Sequence, residues 1–393
     1  MTYFFVLGTN TALSAAELTA VLPLRAARLL AADFLVAEND QDFQAAEIIK
    51  RLGGIIKVGR IVAEVPASDR SRLAAIIQDL AGTKQANSGS GKFNFGFSDY
   101  GQTAVDKKNL GLSLKQYFSG RGVSSRFVTS REKTLSSVVV TQNKLLTRGI
   151  EIVLTADNGQ LLIGETLAVQ PFKDLSLRDY GRPARDDLSG MLPPKLAQIM
   201  INLAQVPENA VIIDPFCGSG TILSEAALLG YQHLFGSDMS PKAINDTHKN
   251  IAWLKELYKL DSFQLKLFTK KAENLSKFIK SESIDAVITE PYLGPQRGRL
   301  EFAAVIKNLE ALYSSALQEF HKILKPGGRV VMVWPIYYGE RPLHPNIQGF
   351  KMLDMVPEEL RRSPFIKKSD RTTIIYGRPG QKVYREIVVL EKD

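Results

Sequence analysis

Two glycines and an aspartate give this chain a turn that can bind a small ligand. The apolar run 211–213 leads into Asp214-Pro-Phe-Cys-Gly-Ser-Gly220, and a helical stretch begins at Thr221. Gly218 and Gly220 permit a tight turn in which a ligand can approach the backbone amides, because no Cβ stands in the way. Open α/β sheets bind their ligands at the carboxyl ends of strands, which is where this turn would lie. We therefore predict a ligand pocket here.

The spacing at this turn favours a cationic ligand over a dinucleotide. In a dinucleotide site a third glycine would stand where this chain has Leu223, and the carboxylate of Asp214 would repel phosphates. An amino-acid ammonium or a sulfonium group fits that carboxylate better. A second strand-like run ends 24 residues later at Asp238, where a carboxylate can accept hydrogen bonds from both hydroxyls of a ribose. The two aspartates predict a ligand with a positive charge and a ribose.

Alternating strands and helices would hold this turn in place. Beyond residue 186 the strand-like runs are separated by helical stretches, and this order is typical of a parallel sheet covered on both faces. The runs are 211–213, 234–236, 265–267, 284–288 and 330–333. Two last runs, 372–376 and 383–390, predict an antiparallel hairpin that closes the sheet. This half of the chain is therefore predicted to be α/β.

The helix ahead of the first of these strands has one apolar face. Leu196, Ile199, Met200 and Leu203 follow the spacing i, i+3, i+4, i+7 that places side chains on one side of a helix. We predict that these four side chains belong to the core.

The first half of the chain predicts two smaller α+β units, with a polar linker at 83–91 and a connector at 171–185. In the first unit, Ser14 is predicted to cap a helix and Glu17 to complete a capping box. The predicted strands of that unit are 3–7, 28–37 and 57–63. The second unit is predicted to contain strands 92–97 and 125–129, helices 110–118 and 138–148, and a hairpin formed by 151–154 and 161–167.

Charge and cysteine content restrict the class of protein further. The 393 residues include 50 Lys and Arg against 41 Asp and Glu, a net charge of +9 that favours a polyanionic partner such as nucleic acid. The single cysteine, Cys217, excludes an internal disulfide framework and a zinc site built from cysteines. We find neither a signal peptide nor a run of ~20 apolar residues. A cytoplasmic protein without a membrane partner is expected.

Three segments together resemble the THUMP-domain tRNA (guanine-N2-)-methyltransferases. They are Asp214–Thr221, Ser189-Gly-Met-Leu-Pro-Pro-Lys-Leu196 and Thr289-Glu-Pro-Tyr-Leu-Gly294. The resemblance implies a Rossmann-like class I methyltransferase domain that follows N-terminal α+β ferredoxin-like and THUMP-like domains. The implied division is 1–83 for the ferredoxin-like domain, 92–170 for the THUMP-like RNA-binding domain, 171–185 for a linker and 186–393 for the methyltransferase domain. It also implies S-adenosylmethionine as the methyl donor and tRNA as the partner.

The resemblance assigns residues to the donor site. It implies that Asp214, Phe216, Gly218 and Gly220 contact the methionine part and that Asp238 holds the ribose. Ala272 and Glu273 are implied to lie near the adenine. The segment from Met191 to Pro194 is implied to close the pocket, with Met191 and Pro193 in direct contact with the donor. The neighbouring Thr221 and Met239 are further implied contacts.

The turn after the fourth strand departs from the family pattern. Members that methylate an exocyclic amine read Asp-Pro-Pro-Tyr or Asn-Pro-Pro-Tyr, whereas this chain has Thr289, Glu290, Pro291 and Tyr292. Such chemistry needs an acceptor that orients the amine N–H bonds and an aromatic face that holds the base. Three interpretations of this departure remain open. Glu290 takes over as the amine acceptor, or the enzyme acts on another atom or base, or activity is lost while the fold is kept. The basic segment 294–299 that follows is either a loop over the target base or a plain surface loop.

Basic residues in the THUMP-like region form a candidate RNA surface. Lysines and arginines on such a module can hold a folded RNA through phosphate and ribose without reading bases. The predicted contacts are Lys107, Lys108, Arg126, Arg131, Lys133 and Arg148. The leading hypothesis is an enzyme that methylates the N2 amine of a guanosine in tRNA. The alternatives are a methyltransferase for an amino group of another RNA base or of DNA, and an inactive RNA-binding protein; any accessory subunit is left open.

Overall fold

The described part of the chain folds around two large β-sheets. The computed structural model describes residues 1–89, 91–101, 103–185, 191–260, 263–295, 302–338, 341–378 and 380–393. Residues 1–169 contribute the strands of one sheet, and residues 211–392 contribute those of the other. Ser189 and Gly190 of the predicted motif, and 296–299 of the predicted basic loop, lie outside the described residues.

The N-terminal sheet is a single layer of eight strands with helices packed against it. Its strands are β1 (Thr2–Leu7), β2 (Arg25–Ala31), β3 (Phe34–Glu38), β4 (Ile55–Pro66), β5 (Phe93–Asp99), β6 (Ser125–Val128), β7 (Gly149–Asp157) and β8 (Gln160–Val169). Its helices are α1 (Thr11–Val21), α2 (Ala45–Arg51), α3 (Arg70–Ala86), α4 (Lys107–Ser119) and α5 (Ser137–Gln142). The strand order is β2-β3-β1-β4-β8-β7-β5-β6.

The long strand β4 joins the two predicted N-terminal units. It pairs antiparallel with β1 on one side and with β8 on the other, and the second pairing continues from Lys57 to Pro66. The boundary predicted near residues 83–92 is therefore not a break in the sheet. A strand of 12 residues is long enough to form backbone hydrogen bonds with strands of both units.

Several predicted local features differ in the structure. Helix α1 begins earlier than predicted, because the side chain of Asn10, not that of Ser14, caps it by accepting a hydrogen bond from the Leu13 amide. Glu17 makes no capping box; its buried carboxylate accepts hydrogen bonds from the amides of Gly53 and Gly54.

Other predicted boundaries were also wrong. The single strand predicted at 28–37 is a hairpin of β2 and β3, and α3 continues to Ala86 into the predicted linker. The helix predicted at 138–148 ends at Gln142. These differences arise where a turn or a helix end depends on tertiary contacts rather than on apolar periodicity.

The C-terminal sheet confirms the predicted α/β fold. Its strands are β9 (Val211–Asp214), β10 (His233–Asp238), β11 (Gln264–Thr269), β12 (Ile284–Thr289), β13 (Leu324–Tyr337), β14 (Phe350–Met352), β15 (Ile374–Tyr376) and β16 (Val383–Lys392). The helices of this half are α6 (Phe172–Tyr180), α7 (Pro194–Leu203), α8 (Thr221–Leu228), α9 (Pro241–Tyr258) and α10 (Phe302–Ile323). The order is β11-β10-β9-β12-β13-β16-β14, and β15 also pairs with β16.

Strand direction in this sheet is that of a Rossmann-like domain with an antiparallel edge. Strands β9 to β13 are parallel, and β16 is antiparallel to β13 and β15, so the predicted final hairpin is confirmed. The four side chains predicted to be core on α7 are all buried. The carboxyl ends of β9, β10 and β12 consequently meet at one edge, where a ligand can bind.

Helices connect the two sheets. Helix α7 packs against α1, and Asn202 of α7 donates a hydrogen bond of 2.8 Å to the Glu17 carboxylate. Burial raises the pKa of Glu17 to about 7, although its hydrogen-bond donors act in the opposite direction. The region predicted as a connector is largely helix α6, in which Arg178 forms a buried ion pair with Glu225 of α8. No described helix is long and apolar enough to cross a membrane.

Candidate active site

A cavity of about 550 Å³ opens at the carboxyl edge of the C-terminal sheet. Most residues predicted from the sequence to form the site line this cavity, and three do not. The predicted residues that line it are Met191, Asp214, Phe216, Gly218, Thr221, Asp238, Met239, Ala272, Glu273, Glu290, Pro291 and Tyr292. Those that do not line it are Pro193, Gly220 and Thr289. The turn after β9 and the turn after β12 thus share one cavity.

Asp214 presents a buried carboxylate at the base of the cavity. Its Oδ1 accepts hydrogen bonds from the Phe216 amide at 3.1 Å and from the Thr289 hydroxyl at 2.6 Å. Burial raises its pKa to about 7; the two hydrogen bonds lower it, and the charges of Asp238 and Glu290 raise it further. No ion pair with Asp214 occurs within the described residues. A buried carboxylate that faces a cavity in this way fits a cationic ligand.

The glycine turn lies against Asp238. The Gly218 amide donates to Oδ2 of Asp238 at 3.1 Å, and the Ser240 amide donates to Oδ1 at 2.8 Å. Gly218 and Gly220 have φ of 53° and 84°, so both occupy the left-handed region that favours glycine. A Cβ at Gly220 would approach Thr247 to 2.7 Å, so this glycine serves helix packing.

The lone cysteine of the turn is a packing residue. Burial raises the pKa of the Cys217 thiol well above its ordinary value, and the nearby charges of Asp214 and Asp238 act in the same direction. A thiol that stays protonated is a weak nucleophile.

Thr289 supports Asp214 and does not reach the cavity. Its side chain is fully buried, and its hydroxyl donates to the Asp214 carboxylate. Thr289, which was predicted as a catalytic residue, therefore holds the Asp214 carboxylate and does not line the cavity.

Replacing Thr289 with valine is expected to weaken binding of a cationic ligand. Loss of the hydroxyl removes a hydrogen bond to a charged group, which raises the pKa of Asp214 further and costs about tenfold in affinity at pH 7. Calorimetric titration with S-adenosylmethionine would measure the change. Thr155→Val is a matched control, since that buried hydroxyl in β7 has no hydrogen-bond partner among the described residues. Equal effects of both variants would contradict a specific role for Thr289.

Glu290 forms an ion pair that the sequence did not reveal. Its Oε1 accepts a hydrogen bond of 2.5 Å from Nε of Arg385, and its Oε2 lies 3.5 Å from Nη2 of the same guanidinium. Burial alone would lower the pKa of Arg385. The charge of Glu290 and the hydrogen bond to Glu290 act in the opposite direction, and the pKa of Arg385 is raised overall. Arg385 lies on β16, 95 residues from Glu290. The carboxylate predicted as the amine acceptor is thus held by an arginine of β16, which lies two strands from β12 in the sheet.

The turn after Glu290 presents an aromatic ring to the solvent side of the cavity. Tyr292 is 59% exposed, which leaves its ring face free to contact a planar group. The Tyr313 hydroxyl donates to the carbonyl of Tyr292 at 2.9 Å, and the Tyr337 hydroxyl donates to that of Leu293 at 2.7 Å. The backbone under the exposed ring is therefore fixed by two buried tyrosines.

The predicted RNA residues cluster around one edge of the N-terminal sheet. The set lies on α4, on edge strand β6 and in the segments on either side of α5. Lys108, Arg126, Arg131, Lys133 and Arg148 are exposed. Lys107 is partly buried, and its ammonium donates to the carbonyl of Lys133. Five of the six side chains are thus accessible to a polyanion.

Comparisons with known sequences and structures show which proteins this chain is similar to. Over the full length, the fold is similar to that of TrmN from Thermus thermophilus, with a TM-score of 0.56, 18% identity and complete coverage of both chains. Residues 182–337 match UPF0020, the RMKL-like methyltransferase domain. The C-terminal half is thus a Rossmann-like methyltransferase domain.

Curated relatives extend the comparison. A tRNA (guanine(10)-N2)-dimethyltransferase of Methanothermobacter thermautotrophicus is 32% identical over 148 residues, which are 38% of this chain and 40% of the relative. A protein of the same description from Methanocaldococcus jannaschii is 32% identical over 165 residues, 40% of each chain. The tRNA (guanine(6)-N2)-methyltransferase of Thermus thermophilus is 29% identical over 153 residues, 37% of this chain and 40% of the relative. The chain spans about 40% of the length of these relatives.

Proposed function

We propose that this chain transfers a methyl group from S-adenosylmethionine to the N2 amine of a guanosine in tRNA, in the cytoplasm. The observation that carries the proposal is that Asp214 and Asp238 line the same cavity as Glu290 and Tyr292. The first pair suits a ligand with an ammonium and a ribose, and the second suits an amine on a planar base. The names of the curated relatives support the choice of guanosine and tRNA.

The residues of the first turn fit the donor. Asp214 offers its buried carboxylate to the ammonium, and Asp238 keeps lone pairs for the ribose hydroxyls after accepting from two backbone amides. Ala272 and Glu273 also line the cavity, and they are proposed to contact the adenine. When bound, S-adenosylmethionine supplies an electrophilic methyl group on a sulfonium.

The residues of the second turn fit the acceptor base. Glu290 accepts an N–H of the amine and thereby orients the nitrogen lone pair, and its negative charge stabilises the positive charge that develops on nitrogen. Tyr292 stacks on the base and Pro291 fixes the backbone between them. The proton released from the amine leaves toward the Glu290 carboxylate or solvent.

The basic surface around β6 is proposed to hold the RNA, in line with the THUMP-like domain implied for residues 92–170. Removing three of its charges in the variant Lys108→Ala, Arg126→Ala, Lys133→Ala is expected to weaken tRNA binding about equally for different sequences. The slope of log affinity against log salt should fall by about one for each phosphate that the variant no longer neutralises. Filter binding at several salt concentrations measures both quantities.

A matched control removes three exposed lysines elsewhere, at Lys50, Lys280 and Lys322. This control keeps the same net charge as the test variant. An equal loss of affinity in both variants would show that total charge, and not this surface, determines binding.

The proposal is tested by incubating the protein with labelled S-adenosylmethionine and unmodified tRNA or DNA, followed by mass spectrometry of the nucleosides. N2-methylguanosine or its dimethylated form in the tRNA is the expected product. A methylated base other than guanine would show that the enzyme acts on that base. Methylation of DNA alone would show that DNA, and not tRNA, is the substrate. Donor binding without any product would identify an inactive RNA-binding protein that retains the fold.

A further inference from the structure

Arg385 is the basic partner of the proposed acceptor Glu290. Its side chain is 17% exposed and that of Glu290 is 11% exposed, so both side chains are largely buried. Glu290 lines the cavity, and Arg385 is held beside it. Arg385 is opposite Pro335 of β13 and Tyr376 of β15 in the sheet register. Within the described residues, its only side-chain hydrogen bonds are those to Glu290, which involve Nε and Nη2. The N–H groups on Nη1 therefore have no hydrogen-bond partner among the described residues, beside a carboxylate that lines the cavity.

The pair displays an acceptor beside a donor. A carboxylate has about four lone-pair positions, and a guanidinium has five N–H donors in a fixed plane. The two hydrogen bonds between them leave about two lone-pair positions on Glu290 and three N–H donors on Arg385. The Watson–Crick edge of guanine has two neighbouring donors, N1–H and the N2 amine, followed by the acceptor O6. That order complements a carboxylate next to a guanidinium.

The same pair mismatches the other purine. Adenine has an acceptor at N1 and a donor amine at position 6, so both would meet a group of their own kind. An unpaired polar group in a desolvated site costs more than a missing contact, and sites built on hydrogen bonds therefore discriminate strongly. A lone carboxylate would orient the N2 amine but would leave O6 without a hydrogen-bond donor.

We propose that Arg385 is a specificity-determining residue, which donates to O6 of the target guanine while Glu290 accepts from N1–H and N2–H. This inference rests on the proposed function. It adds the residue that selects guanine.

The experiment compares two RNAs that differ only at the methylated position found by mass spectrometry, one with guanosine and one with 2-aminopurine. The analogue keeps the N2 amine and lacks N1–H and O6. The wild-type enzyme is expected to prefer guanosine by about 100-fold in kcat/KM, and Arg385→Gln to reduce that preference by about tenfold. The variant should slow methylation of guanosine strongly and methylation of 2-aminopurine by less than about threefold.

Two further variants separate recognition from folding. Arg385→Lys keeps the charge beside Glu290 but has no planar pair of donors, so it should resemble Arg385→Gln in its lowered preference. Arg329→Gln breaks a comparable ion pair with Glu391 at the other end of β16 and should leave the preference unchanged. Donor binding by each variant, measured by calorimetry, reports whether the cavity is intact.

The outcomes distinguish the two proposals. If mass spectrometry finds no methylated guanosine in tRNA, the proposed function is wrong and this inference falls with it. If wild-type protein methylates the guanosine RNA but Arg385→Gln slows both RNAs by the same factor, the function stands and Arg385 only supports Glu290.

Discussion

Replacing Glu290 with glutamine is expected to reduce methyl transfer by at least about 100-fold while S-adenosylmethionine still binds. The amide keeps the shape of the side chain but loses the negative charge that stabilises the developing positive charge on the amine, an effect typically worth this factor or more. Turnover with labelled donor and donor affinity by calorimetry are the two measurements. Loss of turnover with unchanged affinity would assign Glu290 to the acceptor side of the cavity.

The control for this variant is Glu391→Gln, which neutralises a carboxylate that is also paired with an arginine but lies at the opposite end of β16. It should leave both measurements unchanged. If Glu290→Gln retained wild-type turnover, the amine acceptor would have to be another group at the cavity.

Asp214→Asn is expected to weaken donor binding by about 100-fold or more near pH 8, because the ammonium loses the buried carboxylate at the base of the cavity. The effect must depend on pH. In the free protein burial raises the pKa of Asp214 to about 7, so the group is mostly neutral below that pH and mostly ionised above it. A cation binds the ionised form, and wild-type affinity should therefore fall by up to about tenfold per pH unit below 7.

Calorimetry between pH 5.5 and 8 tests this dependence. Below pH 7, ligand binding should release up to about one proton, which appears as a heat that varies with the ionisation enthalpy of the buffer. The asparagine variant should bind weakly at every pH and release no proton from this position. A wild-type affinity that is flat across pH 7 would contradict a role for the Asp214 charge.

The residues proposed to bind the donor could be grouped from the sequence because they lie close together along the chain. The turn from Asp214 to Thr221 follows a strand directly, and Asp238 ends the next strand in a pattern set by βαβ order. Parallel strands bring their carboxyl ends to one edge regardless of side-chain detail. Knowing the order of elements was enough to place these residues around one cavity.

The surroundings of the proposed acceptor residues could be predicted only in part. Position 290 was identified from its place after the fourth strand, but its partner Arg385 lies 95 residues away on an antiparallel strand. Periodicity assigns such a strand to the sheet without stating which residue lies beside the cavity. The role of Thr289 was missed for a related reason, because its hydroxyl contacts a residue 75 positions earlier in the chain.

Local capping chemistry was the other source of error. Ser14 and Glu17 have the spacing of a capping box, yet Asn10 occupies the capping position. Glu17 instead accepts a hydrogen bond from Asn202 in the other half of the molecule. A carboxylate that accepts from two glycine amides and an asparagine is satisfied by groups that are distant in sequence. No pattern within one helix distinguishes these two uses.

That contact between Glu17 and Asn202, with the packing of α1 on α7, has a consequence for substrate selection. It fixes the separation between the basic edge around β6 and the cavity, since both belong to sheets that are joined through these helices. Under the proposed function, a folded RNA held at that edge can deliver only a nucleotide at the matching distance. An RNA whose stem is lengthened by a few base pairs should then be bound as tightly as before and methylated at a different guanosine or at none.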